Sequence, residues 1–115
     1  MFNIKSLEDK AIFLVTGEGK ISNKEADHFI RNLKDKINNI DTNKYNLVLD
    51  IKNIKINSIG GLLKLSKILN IYNSTDFDKL FFVDNGPDNS KFDLNKVKSY
   101  INKDIIKIKN IDEIS

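Results

Sequence analysis

An α/β layer architecture with a mixed sheet is the fold this sequence predicts, on three observations. Short apolar runs of strand length alternate with longer stretches whose apolar residues recur every three or four positions. The resulting order is β-β-α-β-α-β-α-β, and helices lying between strands imply right-handed crossovers to parallel neighbours. No internal repeat or linker interrupts the 115 residues, so one domain over residues 1–115 is expected.

A chain of this length buries a core without covalent staples. It has no cysteine. Disulfide frameworks, thiolate nucleophiles and cysteine metal sites are therefore excluded, which fits a reducing compartment. No apolar run approaches the ~20 residues of a membrane span. The opening Met1, Phe2, Asn3, Ile4, Lys5, Ser6 has no apolar core of signal-peptide type. The expectation is a cytoplasmic protein with no membrane insertion. The net charge of +3 is mild, and lysines alternate with acids throughout. The densest basic segment holds only Lys103, Lys107 and Lys109, with Asp104 among them. Nucleic-acid binding would want a basic stripe or an aromatic platform, so none is expected.

Phe2, Ile4 and Ser6 alternate with their neighbours as a short edge strand does. Glu8, Asp9 and Lys10 read as a turn. Residues 11–15 form a second strand in a hairpin with the first. The segment from Thr16 to Ile21 is expected to break that strand. Its Gly17 and Gly19 suggest a phosphate loop, but there is no third glycine and no Gly-Lys-Ser/Thr. A turn or bulge is the better reading. Ser22, with Glu25 three residues on, has the signature of a capping box. The helix that follows is expected over residues 23–40, with Ala26, Phe29, Ile30, Leu33, Ile37 and Ile40 as its apolar stripe. His28 is the only histidine and lies off that stripe, where a surface histidine is expected.

Leu47, Val48 and Leu49 are consecutive and apolar, as in a strand covered on both faces. Asp50 is expected to close that strand and to bond backbone N–H groups of a loop over 51–55. Ile51, Ile54 and Ile56 keep the chain extended and half exposed. The period then changes. Ile59, Leu62, Leu63, Leu65, Ile68, Leu69 and Tyr72 are expected to make one broad helix face. Ser58 stands where that helix wants its N-cap. Gly60 and Gly61 are poor helix formers, and their lack of a side chain lets another group come close. A polar loop leads to a buried strand containing Leu80, Phe81, Phe82 and Val83. Asp84, Asn85, Gly86 and Pro87 begin a strong turn cluster. Phe92 is expected to plug the end of the sheet, and a short helix is expected over 94–101. Ile105, Ile106 and Ile108 form a last strand, and residues 110–115 read as the opening of a helix.

The stretch from Leu49 to Leu63 resembles the STAS domain, the family of anti-sigma-factor antagonists. The residues that carry the resemblance are Leu49-Asp50-Ile51, then Ile54 and Ile56, then Asn57-Ser58-Ile59-Gly60, then Leu62-Leu63. Members carry a Leu-Asp-Leu strand end, a short apolar run, Asp-Ser-Ser-Gly or a variant, and a Leu-rich helix. A Gly-Glu segment before the first helix also matches, here at Gly17-Glu18. Asn57 stands for the usual Asp, and Ile59 for the frequent second Ser. The resemblance covers residues 2–108. It implies a sheet of four to five strands with helices mainly on one face. It also implies a final helix, which is short or missing here. In regulatory members the serine matching Ser58 is phosphorylated by a partner kinase that is also the anti-sigma factor. Asn57, Ser58, Ile59, Gly60 and Gly61 would then contact the partner, with Asp50 in support.

No catalytic constellation can be assembled, and no metal ligand set or cofactor motif stands in the sequence. A non-enzymatic role is expected. Two readings of Ser58 stay open. As a plain N-cap it contributes ~1 kcal/mol to the helix. As a phosphoacceptor it would gain about −1.5 to −2 charges at a helix N-terminus, where a phosphate is welcome but a docked partner is repelled. The first functional expectation is a non-catalytic regulator that binds a kinase-type anti-sigma factor. The alternative is an unphosphorylated STAS adaptor subunit of a larger complex, such as a lipid-transport ATPase. A third, a small-ligand carrier or an enzyme built on the α/β sheet, has only Asp50, Ser58 and the Gly17–Gly19 turn to speak for it and would call for an apolar pocket near Ser58.

Overall fold

Two antiparallel strands open the chain. The computed structural model describes residues 2–20, 22–55, 59–83 and 104–114; of residues 51–55, 59–62 and 65 only the backbone is described. Strand β1 (Phe2–Leu7) turns through a single 3-10 turn at Glu8–Lys10 into β2 (Ile12–Lys20). Ala11 closes that turn at φ 52°, a left-handed conformation that ends helical turns, and its N–H donates to the Glu8 carbonyl. Helix α1 (Asn23–Asn38) follows, then β3 (Asn46–Lys55), α2 (Ile59–Asn73), β4 (Leu80–Val83) and β5 (Ile105–Ile108). The expected turn cluster at 84–90, Phe92 and the helix expected over 94–101 lie outside the described residues.

The five strands form one mixed sheet in the order β1-β2-β3-β4-β5. β1 is antiparallel to β2, and every other neighbouring pair is parallel. The register explains the pleat. Phe13, Val15, Leu47, Leu49, Leu80 and Phe82 alternate with their neighbours to one face and pack there with Phe29 and Leu33 of α1 and Ile68, Leu69 and Tyr72 of α2. Ile12, Val48, Phe81, Val83 and Ile108 form a second buried cluster on the other face. Both described helices therefore cover the same face of the sheet, as expected. Ring contacts tie the layers: Phe2 stacks on Phe29 with centroids 4.4 Å apart, and Phe13 meets Phe77 at 5.5 Å.

Four local expectations need correction. The segment from Thr16 does not break its strand: β2 runs on to Lys20, with a register irregularity between Thr16 and Glu18. Asp50 does not close β3, which continues to Lys55, and no loop over 51–55 is there for it to brace. The two corrections have one cause. Glu18, Gly19 and Lys20 pair with Asn53, Ile54 and Lys55, so each strand supplies the ladder that lengthens the other. The third concerns α2, whose Leu63 is 60% exposed and so stands off the buried face. At the end of the described chain a single 3-10 turn, Ile111–Glu113, takes the place of the expected helix opening. Its capping box is complete, with Asn110 accepting from Asp112 N–H at 2.9 Å and Glu113 accepting from Asn110 N–H at 3.0 Å.

Candidate functional site

The parallel strands β2, β3, β4 and β5 all end at one edge of the sheet. In open α/β sheets that edge is where sites form. Because β2 and β3 run on together to Lys20 and Lys55, the two helices that follow them start from the same edge. Ser22 caps α1, its hydroxyl accepting from Glu25 N–H at 3.1 Å. The expected capping serine of α1 is thus in place. Helix α2 starts at Ile59, so the glycine pair Gly60 and Gly61 lies in its first turn. Asn57 and Ser58 lie outside the described residues, and of Ile59, Gly60 and Gly61 the helical backbone alone is described.

One turn further along, the two helices are joined. Lys64 donates to the Asp27 carboxylate across the α1–α2 contact. That bond holds the Asp27 carboxyl below its ordinary value, with the Lys64, Lys67 and Arg31 charges adding to it against some desolvation. Leu63, immediately before Lys64, points the other way. It shares the solvent stripe of α2 with Lys67 and Asn70, both exposed. The start of α2 therefore sets an apolar side chain, Leu63, in water beside a helix position tied to its neighbour.

Asp50 stands apart from this surface. It is opposite Thr16 in the β2–β3 ladder and half-buried. Val48 belongs to the face away from the helices, and two residues on along β3 the pleat puts Asp50 on that same face. The glycine segment Gly17–Gly19 lies within β2, with Gly19 at φ +74°, and forms no phosphate-cradling loop. His28 is exposed on α1. Among the described residues no group of three or more His, Asp or Glu could hold a metal ion. No described helix is long and apolar enough to cross a membrane.

At the opposite end of α2 there is an open cleft of about 550 Å³, walled by Leu47, Tyr72, Phe77 and Leu80. Tyr72 is 3% exposed. Its hydroxyl oxygen is buried without a hydrogen-bond partner, and burial pushes its ionisation well above the ordinary value. Sequence reasoning treated Tyr72 as an apolar residue of the helix face and missed both features. No protein-family model matches the chain, and comparison with curated proteins also finds no match.

Proposed function

We propose that this chain is a non-catalytic regulatory domain of the STAS type, an anti-sigma-factor antagonist acting in the cytoplasm. It binds a kinase-type anti-sigma factor through the start of α2, and Ser58 is the phosphoacceptor. The observation that carries the reading is the surface at the first turns of α2. A helix begins at the C-terminal edge of a central parallel strand, directly after Ser58, and exposes Leu63 beside the Asp27–Lys64 tie. The five-stranded mixed sheet with α1 and α2 on one face agrees with what the resemblance implies.

The switch follows from electrostatics. Unmodified, the α2 start packs a partner against Leu63 and the glycine turn. A phosphate adds about −1.5 to −2 charges, which the helix N-terminus stabilises within the domain. The same charge desolvates poorly under a docked partner and drives it off.

The test combines intact-mass spectrometry with binding. Protein from native cells is weighed, and the co-encoded kinase-type protein is offered with ATP. The expected result is a gain of about 80 Da that is absent from Ser58→Ala. Ser58→Asp should weaken partner binding about tenfold or more, an effect of at least ~1.4 kcal/mol, while Ser58→Ala binds as the wild type does. Equal binding by all three proteins refutes the switch. An unmodified mass with stable co-purification of an ATPase assigns the domain to the adaptor role instead.

A further inference from the structure

The outer groove between α1 and α2 carries more positive charge than the contact between the helices uses. Asp27, Arg31 and Lys34 follow one another at four and three residues along α1, so they share one flank of it. That flank faces α2, because Lys64 bonds the Asp27 carboxylate. The Lys67 and Arg31 charges act on the same carboxyl, which places both near the tie. Lys67 is three residues from Lys64 and four from Leu63, so it links the tie to the exposed leucine. One groove thus holds four cations and an apolar side chain around a single paired carboxylate.

The balance of charge there is one-sided. Helix α2 carries no acidic residue. Of the three acids of α1, Asp27 is taken by Lys64, and Glu25, two residues earlier, lies on the other flank. That leaves Asp35 alone to offset Arg31, Lys34 and Lys67. All three cations are exposed, and none forms an ion pair among the described residues. Leu63, exposed in its turn, stands at the edge of this field.

We propose that this groove docks a carboxylate-rich segment of a partner protein, with an apolar side chain of that segment seated on Leu63. The inference rests on the reading of α2 as a docking helix and names the chemistry of what docks there. Opposite charge steers such a segment in and fixes its register, and the leucine gives it apolar area to bury. Nucleic acid fits less well: Phe29 and Tyr72, the aromatic residues of the two helices, are buried and give no stacking platform. A lipid surface also fits less well. Among the described residues of these helices Leu63 alone is a large exposed apolar side chain, and that is not the apolar face a membrane-bound helix inserts. An acidic segment is, moreover, what a phosphate on Ser58 would repel.

The experiment is an amide NMR titration of the isotopically labelled full chain at low salt. The probes are three peptides of about twelve residues: glutamates around two leucines, lysines around the same leucines, and glutamates around two serines. The first should bind in the sub-millimolar range, with shifts centred on Asp27, Arg31, Lys34 and Leu63–Lys67. It should bind about tenfold or more tightly than the lysine peptide and severalfold more tightly than the serine peptide. Added salt should weaken it severalfold. Arg31→Gln combined with Lys67→Gln should weaken it about fivefold or more, and Leu63→Ser severalfold. These positions are exposed, so the free variants should keep the wild-type spectrum away from the groove. Lys44→Gln, ahead of β3 at the other edge of the sheet, should leave the affinity unchanged. Equal binding of the lysine peptide, shifts centred elsewhere, or unchanged affinity in either groove variant overturns the proposal. So does tighter binding of oligothymidylate, or of vesicles of phosphatidylglycerol and phosphatidylcholine in equal parts, than of the acidic peptide. No probe or variant here touches Ser58, so loss of the phosphoswitch and loss of the acidic partner are separate results.

Discussion

Leu63 and Leu69 lie on the same helix, α2, and their surroundings are opposite. Leu69 is fully buried among the residues that α1, α2 and the sheet share, while Leu63 is 60% exposed. The same substitution at the two positions therefore isolates burial from helix propensity. Leu69→Ala removes buried methyl groups and leaves a cavity, at a cost of about 3 kcal/mol from the 2.7–5.0 range of such changes. With an unfolding entropy of about 2.1 cal/mol/K per residue, 115 residues give about 0.24 kcal/mol/K, so Tm falls by about 12 °C. Leu63→Ala removes a side chain that is already in water and gains slightly in helix propensity, so stability should change by less than about 0.5 kcal/mol. Urea unfolding followed by far-UV circular dichroism measures both. The expected midpoint shift is roughly 2 M for Leu69→Ala and close to zero for Leu63→Ala, given a slope near 1.5 kcal/mol/M. If Leu63→Ala costs as much as Leu69→Ala, α2 is rotated about its axis, and the docking surface built on Leu63 is lost with it.

Two further outcomes test other parts of the structure. Ser22→Ala removes the hydroxyl that accepts from Glu25 N–H and should cost about 1 kcal/mol in the same urea assay, with Ser22→Asp restoring most of it. Asp27 tests the helix–helix tie: Lys64 bonding holds its carboxyl below the ordinary value of 3.8 in the folded state. A lowered folded value means the stabilisation is complete above the unfolded value and is lost as pH falls through and below it. The urea midpoint of the wild type should therefore drop more steeply on acidification below about pH 4 than that of Asp27→Asn, and parallel curves would remove the tie from the account.

How far the sequence could be read depended on whether a feature is local. The α1 stripe was legible because Ala26, Phe29 and Leu33 repeat at three and four residues, and all three are buried. The Ser22 cap was legible because cap and partner stand three residues apart. Leu63 was legible in principle. It is five, six and nine residues from Ile68, Leu69 and Tyr72, and at about 100° per residue those offsets put it roughly 120–180° away from them. Its spacing from its nearer apolar neighbours drew it into one broad face and hid that angle. The length of β3 was not legible in the same way. The isoleucines at 51, 54 and 56 signalled an extended chain, but nothing near them required it to stay in the ladder past Asp50, a poor strand former. What keeps Asn53, Ile54 and Lys55 in the sheet is Glu18, Gly19 and Lys20, more than thirty residues earlier in the chain. The unpartnered hydroxyl of Tyr72 was out of reach for the same reason, since a missing partner is a property of everything around a side chain.

That long ladder also bears on how a switch at the start of α2 would work. Both helices leave the sheet where β2 and β3 end, so both present their positive dipole ends to the same side. A phosphate accepted at that edge would meet the positive end of α2, and on the proposed reading the domain would keep its fold. The Asp27–Lys64 tie opposes any sliding of α2 against α1. The consequence of modification then falls on the partner and not on the fold. The phosphorylated domain should unfold at the same urea midpoint as the unmodified one or above it, while its partner affinity falls. A modified domain that unfolds at markedly lower urea would mean release by local unfolding, and would refute a switch built on charge alone.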